Sequence, residues 1–251
     1  METILCIDAG HGGEQSGATR VYDGKTIYEK DINLKIALLL EKELQKYQNI
    51  KIIQTRTEDT LVGLIERNQI AIDNKADYLI SLHNNAAPNP EVKAKGCMLL
   101  STSSHYQPKE SKVPSIYESS KRLSLSIVSK LQNLGIHVSR YLDQGIYFRL
   151  HCPAEGASST LYYPDGSVAD YYSIVRNGVI SGIPSIIVEH AYLDNEEDYR
   201  NYLETDEKLS LLAKADAEGI AMALELTKKN EYKEEIYKER ENLTGGSLVS
   251  V

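Results

Sequence analysis

The chain has 251 residues, enough for one large domain that buries a core without help from disulfides. Its 36 acidic against 28 basic residues leave a net charge of −8, which argues against a general nucleic-acid binder. No run approaches the roughly 18 apolar residues of a membrane span, and Cys6, Cys97 and Cys152 form no CxxC pair, so they read as free thiols rather than a disulfide framework or a thiolate zinc site.

In chain order, "TILCI" reads as a strand that runs into the glycine-rich loop "DAGHGGEQSGA" at 8–18. Such a loop costs backbone entropy, and the expected return is close approach of a ligand to the main chain around Gly10, Gly12 and Gly13, beside His11. Asp31 is expected to cap a helix with Ile32, Leu34, Ala37, Leu38, Leu44 and Tyr47 at roughly helical spacing, and "IKIIQTR" follows as a strand. "LIERNQIAIDNKA" reads as an amphipathic helix, "DYLISLH" as a strand ending in His83, and "KGCMLLST" as another strand. "SIYESSKRLSLSIVSKLQNLG" is a long helix stopped by Gly135, "IPSIIVEH" a strand ending in Glu189, and "NEEDYRNYLET" and "DEKLSLLAKADAEGIAMALEL" two closing helices. Strands alternating with helices predict an α/β fold, a three-layer α-β-α domain over 1–227 with a largely parallel sheet.

Two stretches break the rhythm. Residues 141–170 carry Gly, Pro, Ser and Tyr without periodicity and read as a surface excursion, either a wall or lid over a site or a plain insertion. Residues 228–251 read as a charged C-terminal extension, partly disordered. The chain holds 17 Tyr against one Phe and no Trp, and tyrosines suit half-exposed positions that grip a ligand.

His11, His83 and Glu189 share a place at or near strand ends, where ligands gather in open α/β sheets, and Glu29 sits just before the first helix. Two imidazoles and one carboxylate are the protein ligands of catalytic zinc sites with water in the fourth position, and a further carboxylate can serve as base. His105, His137, His151 and His190 have no such assignment; His190 should point to the opposite side of its strand from Glu189.

"ILCIDAGHGG", "YEKDINLKIALLLEKEL", "TRTEDT" with "LIERNQIAIDNKADYLISLHNNAA", and "YYSIVRNGVISGIPSIIVEHAYLDNEEDYRNYL" occur in the order found in the zinc-dependent N-acetylmuramoyl-L-alanine amidases of bacterial peptidoglycan, the Amidase_3 type, which the chain resembles from about residue 3 to 225. The resemblance implies a mixed sheet between helices, His11, Glu29 and His83 as Zn2+ ligands, and Glu189 as catalytic acid/base. An ordinary glutamate is too acidic to return a proton to an amine, so partial burial under bound substrate is expected to raise the Glu189 carboxyl. Asn85 and Arg176 are candidates for holding substrate, with a structural salt bridge as the alternative for Arg176. The implied partner is peptidoglycan or a muramyl peptide, and the implied place is extracellular or the cell wall, an export signal or anchor having been removed. A monomer is the expected state. The alternatives are a zinc carboxypeptidase or aminopeptidase, and an inactive cell-wall-binding module. The 141–170 and 101–116 segments depart from the family pattern, and wall-binding repeats and a site-plugging helix are not recognisable.

Overall fold

The computed structural model describes residues 2–87, 94–138, 142 and 144–230. A six-stranded sheet runs in the order β4-β1-β5-β8-β6-β7, built from β1 (Thr3–Ala9), β4 (Ile50–Gln54), β5 (Tyr78–Asn85), β6 (Met98–Leu100), β7 (Ile146–Tyr147) and β8 (Ser185–Tyr192). β4, β1, β5 and β8 are parallel, whereas β6 runs antiparallel to β8 and parallel to β7, so the sheet is mixed as the resemblance implied.

Helices α1 (Glu29–Leu44), α3 (Ile116–Asn133) and α6 (Asp206–Ala223) pack together on one face, and α2 (Leu64–Asp73) pairs with α4 (Ser173–Ile180) on the other. The strands read as continuous apolar runs because both faces are covered. Leu5, Ile7, Ile80, Leu82, Ile186 and Val188 point to the α1/α3/α6 layer, while Cys6, Leu79 and Ile187 point to the α2/α4 layer. From β1 the chain crosses by α1 to β4 on one side, then returns by α2 to β5 on the other. This reversal opens a crevice beyond the carboxyl ends of β1 and β5, the usual ligand position in such sheets.

Several expectations change. The hairpin of β2 (Thr19–Tyr22) and β3 (Lys25–Tyr28) lies between the glycine loop and α1. Its turn, Asp23-Gly24, has φ of +51° and +75°, the left-handed pair that a two-residue hairpin demands. Because β3 ends at Tyr28, Tyr28 becomes the N-cap without a side-chain bond and α1 starts at Glu29, so Asp31 lies in the first turn and is not the cap. "NEEDYRNYLET" is a three-residue helix, α5 (Glu196–Asp198), followed by a π-turn at Tyr199–Leu203. β5 and β8 continue past His83 and Glu189 to Asn85 and Tyr192. The 141–170 excursion holds β7 and a 3-10 turn at Pro153–Glu155, and is tied by bridges Leu150–Asp170 and Tyr162–Val168; residues 141 and 143 lie outside the described residues. Of the 228–251 extension, 231–251 lie outside them too, and Lys228 bridges back to Tyr47.

One buried ion pair fastens the carboxyl edge of the sheet. Asp8 of β1 is fully buried and accepts from Arg67 Nη1 and Thr55 Oγ1 at 2.6 Å each and from Ser81 Oγ at 2.5 Å. It therefore joins β1, the end of β4, α2 and β5 at one point. Removing one partner of a buried pair strands the other charge. Arg67→Met is expected to lower the unfolding free energy by about 3–5 kcal/mol, read from urea denaturation midpoints at unchanged slope.

Candidate active site and metal centre

The loop after β1 is held by two arginines rather than by its own side chains. Arg56 donates to the carbonyls of Ala9 (2.8 Å), Gly10 (3.0 Å) and Lys30 (2.9 Å). Arg67 donates to the carbonyls of Ala9 and His11, both at 2.8 Å. His11 sits between glycines with φ of +61°, a conformation that costs a non-glycine residue of order 1–3 kcal/mol and persists where its surroundings over-determine it.

The glycines do not hold space open for a ligand, contrary to the sequence reading. A Cβ on Gly10 would overlap the His83 ring; one on Gly12, at φ +128°, would meet the Thr60 carbonyl, and one on Gly13 would reach Leu61. Gly17, at φ +66°, leaves the room that Glu29 and His11 occupy. The loop is thin so that side chains from β5 and α1 can pack against its backbone.

His11, Glu29 and His83 converge there, each offering one donor atom, with all three atoms within 4.8 Å of one another. Glu29 lies between the imidazoles: Oε2 is 3.1 Å from His11 Nε2 and Oε1 is 2.9 Å from His83 Nδ1. The rings meet edge to face, centroids 4.9 Å apart. Burial alone would raise the Glu29 carboxyl, but hydrogen bonds from His11 and His83 outweigh it and hold the group well below the usual carboxylate range. Burial works against charge on His83, and the Glu29 bond with the nearby Glu189 overcomes it to raise the imidazole.

Glu29 is also aimed by groups the sequence reading passed over. Its Oε2 accepts from the Ala18 N–H at 2.8 Å, and Oε1 accepts from the Asn84 N–H at 3.2 Å and Asn33 Nδ2 at 3.1 Å. Asn33 in turn accepts from Asn84 Nδ2 at 2.9 Å and donates to the Gly10 carbonyl at 3.2 Å. Asn33 lies one helical turn after Glu29, so an i, i+4 polar pair inside an otherwise apolar helix stripe was the available signal.

Glu189 pairs in register with His83 across β5 and β8 and shares its face. The β5–β8 register then shifts between His83 and Asn85, the kind of irregularity that re-aims side chains beside a site. Burial pushes the Glu189 carboxyl up to about 7, with the Glu29 charge adding to the shift and His83 opposing it. Its buried Oε2 has no hydrogen-bond partner among the described residues. The fold itself half-buries Glu189.

His190 points the other way, as the pleat predicts. It bonds Asp216 of α6 through Nε2 at 2.8 Å and the His83 carbonyl through Nδ1 at 3.0 Å, which braces β5 behind the site. Asn85 turns onto its own chain, Oδ1 accepting from the Ala86 N–H at 2.8 Å. Arg176 makes no carboxylate salt bridge among the described residues; its Nη1 donates to the carbonyls of Asp170 (2.8 Å) and Tyr171 (2.7 Å), and it lines an open groove of about 890 Å³ with Gln15, Leu64 and Ile65.

Residues 5–222 match the Amidase_3 family, described as N-acetylmuramoyl-L-alanine amidase. The chain belongs to this amidase family. It is 30% identical over 230 residues to the endolysin of Bacillus phage SPP1, covering 92% of this chain and 69% of that one. It is 28% identical over 207 residues to a probable N-acetylmuramoyl-L-alanine amidase, AmiB, of Haemophilus influenzae, covering 77% of this chain but only 46% of the relative. Among solved structures, an N-acetylmuramoyl-L-alanine amidase from Clostridium difficile 630 superposes with a TM-score of 0.65 at 24% identity, over 89% of this chain and 97% of that one. That likeness places the chain in the amidase fold.

Within this amidase fold, the donor chemistry fits a divalent ion. Two nitrogen donors and one ionised carboxylate surround one point, and a set of that kind suits zinc with an open position for water. Hydrogen bonds behind metal ligands typically contribute 10–100-fold in affinity. Asn33→Ala is therefore expected to weaken divalent-metal binding by about 10–100-fold and Gly10→Ala to abolish it by displacing His83, both read by competition with a chromophoric chelator on folded protein.

Proposed function

We propose that the protein is a zinc-dependent peptidoglycan hydrolase that cuts the amide between the lactyl group of N-acetylmuramic acid and the L-alanine of the stem peptide. His11, Glu29 and His83 would hold the ion and Glu189 would move the proton. The observation that carries this reading is Glu189 itself, a half-buried carboxylate with one buried, unpartnered oxygen, in register with His83 and set apart in proton affinity from Glu29. A wall-binding module has no use for such a group. Its substrate implies a place of action at the cell wall, reached by export.

An amide resists hydrolysis because water is a weak nucleophile and the amine a poor leaving group. A bound Zn2+ supplies a Lewis acid, lowering the pKa of a water it holds from about 15.7 to about 7 and polarising a carbonyl. Glu189 accepts the proton from the attacking water as the new C–O bond forms, then donates it to the alanine nitrogen as the C–N bond breaks. A carboxyl raised above its ordinary value by desolvation serves both steps, more basic than a solvated glutamate yet acidic enough to return the proton. Glu29, which accepts from the Ala18 and Asn84 N–H groups and from Asn33 Nδ2, would serve as a ligand and take no part in the proton transfer.

Incubated with a muramyl peptide, the zinc-loaded protein is expected to release a stem peptide with an L-alanine amino terminus, identified by mass spectrometry. Glu189→Gln should keep its zinc and lose about 10²- to 10⁴-fold in kcat, and chelation should abolish turnover. Zinc binding with an intact lactyl amide would overturn the substrate assignment, and new termini elsewhere would indicate a peptidase.

The proton role also sets a pH dependence. Glu189 must be unprotonated to accept a proton, so kcat/KM should fall with unit slope as pH drops through its ionisation. A cation at the neighbouring site draws that ionisation downward, so the midpoint should lie at or below about 7. The residual activity of Glu189→Gln should lack this acid limb.

A further inference from the structure

The groove lined by Arg176 begins at the loop that carries His11. Gln15 forms part of its wall and exchanges two backbone hydrogen bonds with Gly12, at 2.9 and 3.1 Å. A pair bonded in that way has Cα atoms about 5.5 Å apart, and Gly12 directly follows His11. Two residues beyond Gln15 the loop returns to the same centre, since a Cβ on Gly17 would overlap the His11 ring and the Glu29 carboxylate. The groove and the candidate metal centre therefore share one short loop.

The helices that form the rest of the groove start on the same side of the sheet. α2 leads into β5 and α4 into β8, and both strands run parallel to β1, so the first turns of both helices stand at the carboxyl edge. Leu64 and Ile65 open α2 with 60% and 75% of their surface exposed, and Leu61, 50% exposed, lies beside Gly13 of the glycine loop. Large aliphatic side chains left in the open, running from that loop into a groove, mark a surface that is covered in use.

The polar lining indicates what covers it. Gln15 and Gln69 offer neutral amides, and the charged residues along the groove are one cation, Arg176, and one anion, Glu66. A stem peptide with its several carboxylates meets no net positive charge there. A chain of N-acetylhexosamines is the better complement, being uncharged along its rings, with pyranose C–H faces and acetamido methyls for the aliphatic side chains and hydroxyls for the amides. The groove's volume of about 890 Å³ lies at the upper end of the roughly 300–1,000 Å³ of small-molecule sites, which leaves room for more than one sugar.

We propose that this groove holds the glycan strand on the acyl side of the scissile amide and makes the enzyme prefer oligomeric glycan to a single muramyl peptide. This rests on the muramyl-amide reading above. Glu189 returns its proton to the alanine nitrogen, so the peptide limb departs on the β8 side. β5 lies between β8 and β1, which directs the lactyl limb and the sugar that bears it toward the His11 loop and Gln15. Leu64 and Ile65 then pack against the neighbouring sugar rings, while Gln15, Gln69 and Arg176 bond their hydroxyl and acetamido groups.

The test compares N-acetylmuramoyl-L-Ala-γ-D-Glu-L-Lys with a tetrasaccharide of alternating N-acetylglucosamine and N-acetylmuramic acid that bears the same tripeptide, on the zinc-loaded full chain. Intact protein should favour the tetrasaccharide by about 10- to 100-fold in kcat/KM, the return from one or two hydrogen bonds made by charged and amide groups. Ile65→Glu and Gln15→Ala should each bring that ratio toward one; thermal melts check that both are folded. Calorimetric titration with chitotetraose, a peptide-free chain of N-acetylglucosamine, reads the groove without turnover, and Ile65→Glu should abolish the binding seen with intact protein. Equal kcat/KM for the two substrates, or a preference that survives both substitutions, would overturn the proposal. So would binding of the free tripeptide in place of chitotetraose, or self-association in sedimentation that Ile65→Glu abolishes while chitotetraose fails to bind, which would assign the surface to a second copy of the chain. Chitotetraose binding that Ile65→Glu abolishes, with neither muramyl substrate cut, would overturn the amidase reading while leaving the glycan groove in place.

Discussion

The Asp8 carboxylate is the point on which the carboxyl edge of the sheet depends. Three strand ends and a helix from the opposite layer meet on it through Thr55, Ser81 and Arg67, in a place with no access to water. Buried ion pairs are poor net sources of stability, because desolvation consumes most of the Coulombic gain. What this one confers is position. Arg67, tied down by Asp8, carries the His11 carbonyl on its other nitrogen, so the loop bearing a site histidine is referenced to the sheet and not left to its own flexible backbone.

That rigidity lets two glutamates a short distance apart behave oppositely. Glu29 is buried yet saturated with donors, two imidazoles, two backbone N–H groups and an asparagine amide, and remains an anion. Glu189 is half-buried with its inner oxygen unpartnered, and desolvation pushes its carboxyl up to about 7. Environment separates the proton affinities of two chemically identical side chains, which is what the proposed roles of ligand and proton carrier require. His190 and Asp216 brace β5 from the rear, which keeps His83 facing the pair.

The excursion after β7 runs into α4, with Tyr172 at its N-cap. Its ordering does not come from a core of its own. It comes from buried Asp170 and from Arg176, whose Nη1 is spent on main-chain carbonyls, and the tyrosine surplus of the composition is partly used here in stacking.

Much of this was legible in the sequence. Apolar runs separated by helical periodicities imposed the layered α/β fold, since strands covered on both faces must be apolar throughout. His11, His83 and Glu189 were visible as polar residues at or near the ends of such runs and Glu29 as an acid just before the first helix, and the family motifs implied a role for each. What the sequence did not disclose was set by contacts between distant segments: the hairpin that moves the helix start from Asp31 to Glu29, the Asn33–Asn84 pair behind Glu29, and the use of Gly10 as a seat for the His83 ring. Local periodicity reports which face a residue takes within its own element. Proton affinity and ligand convergence depend on which elements the chain reversal between β1 and β5 brings together, and only the tertiary structure decides that.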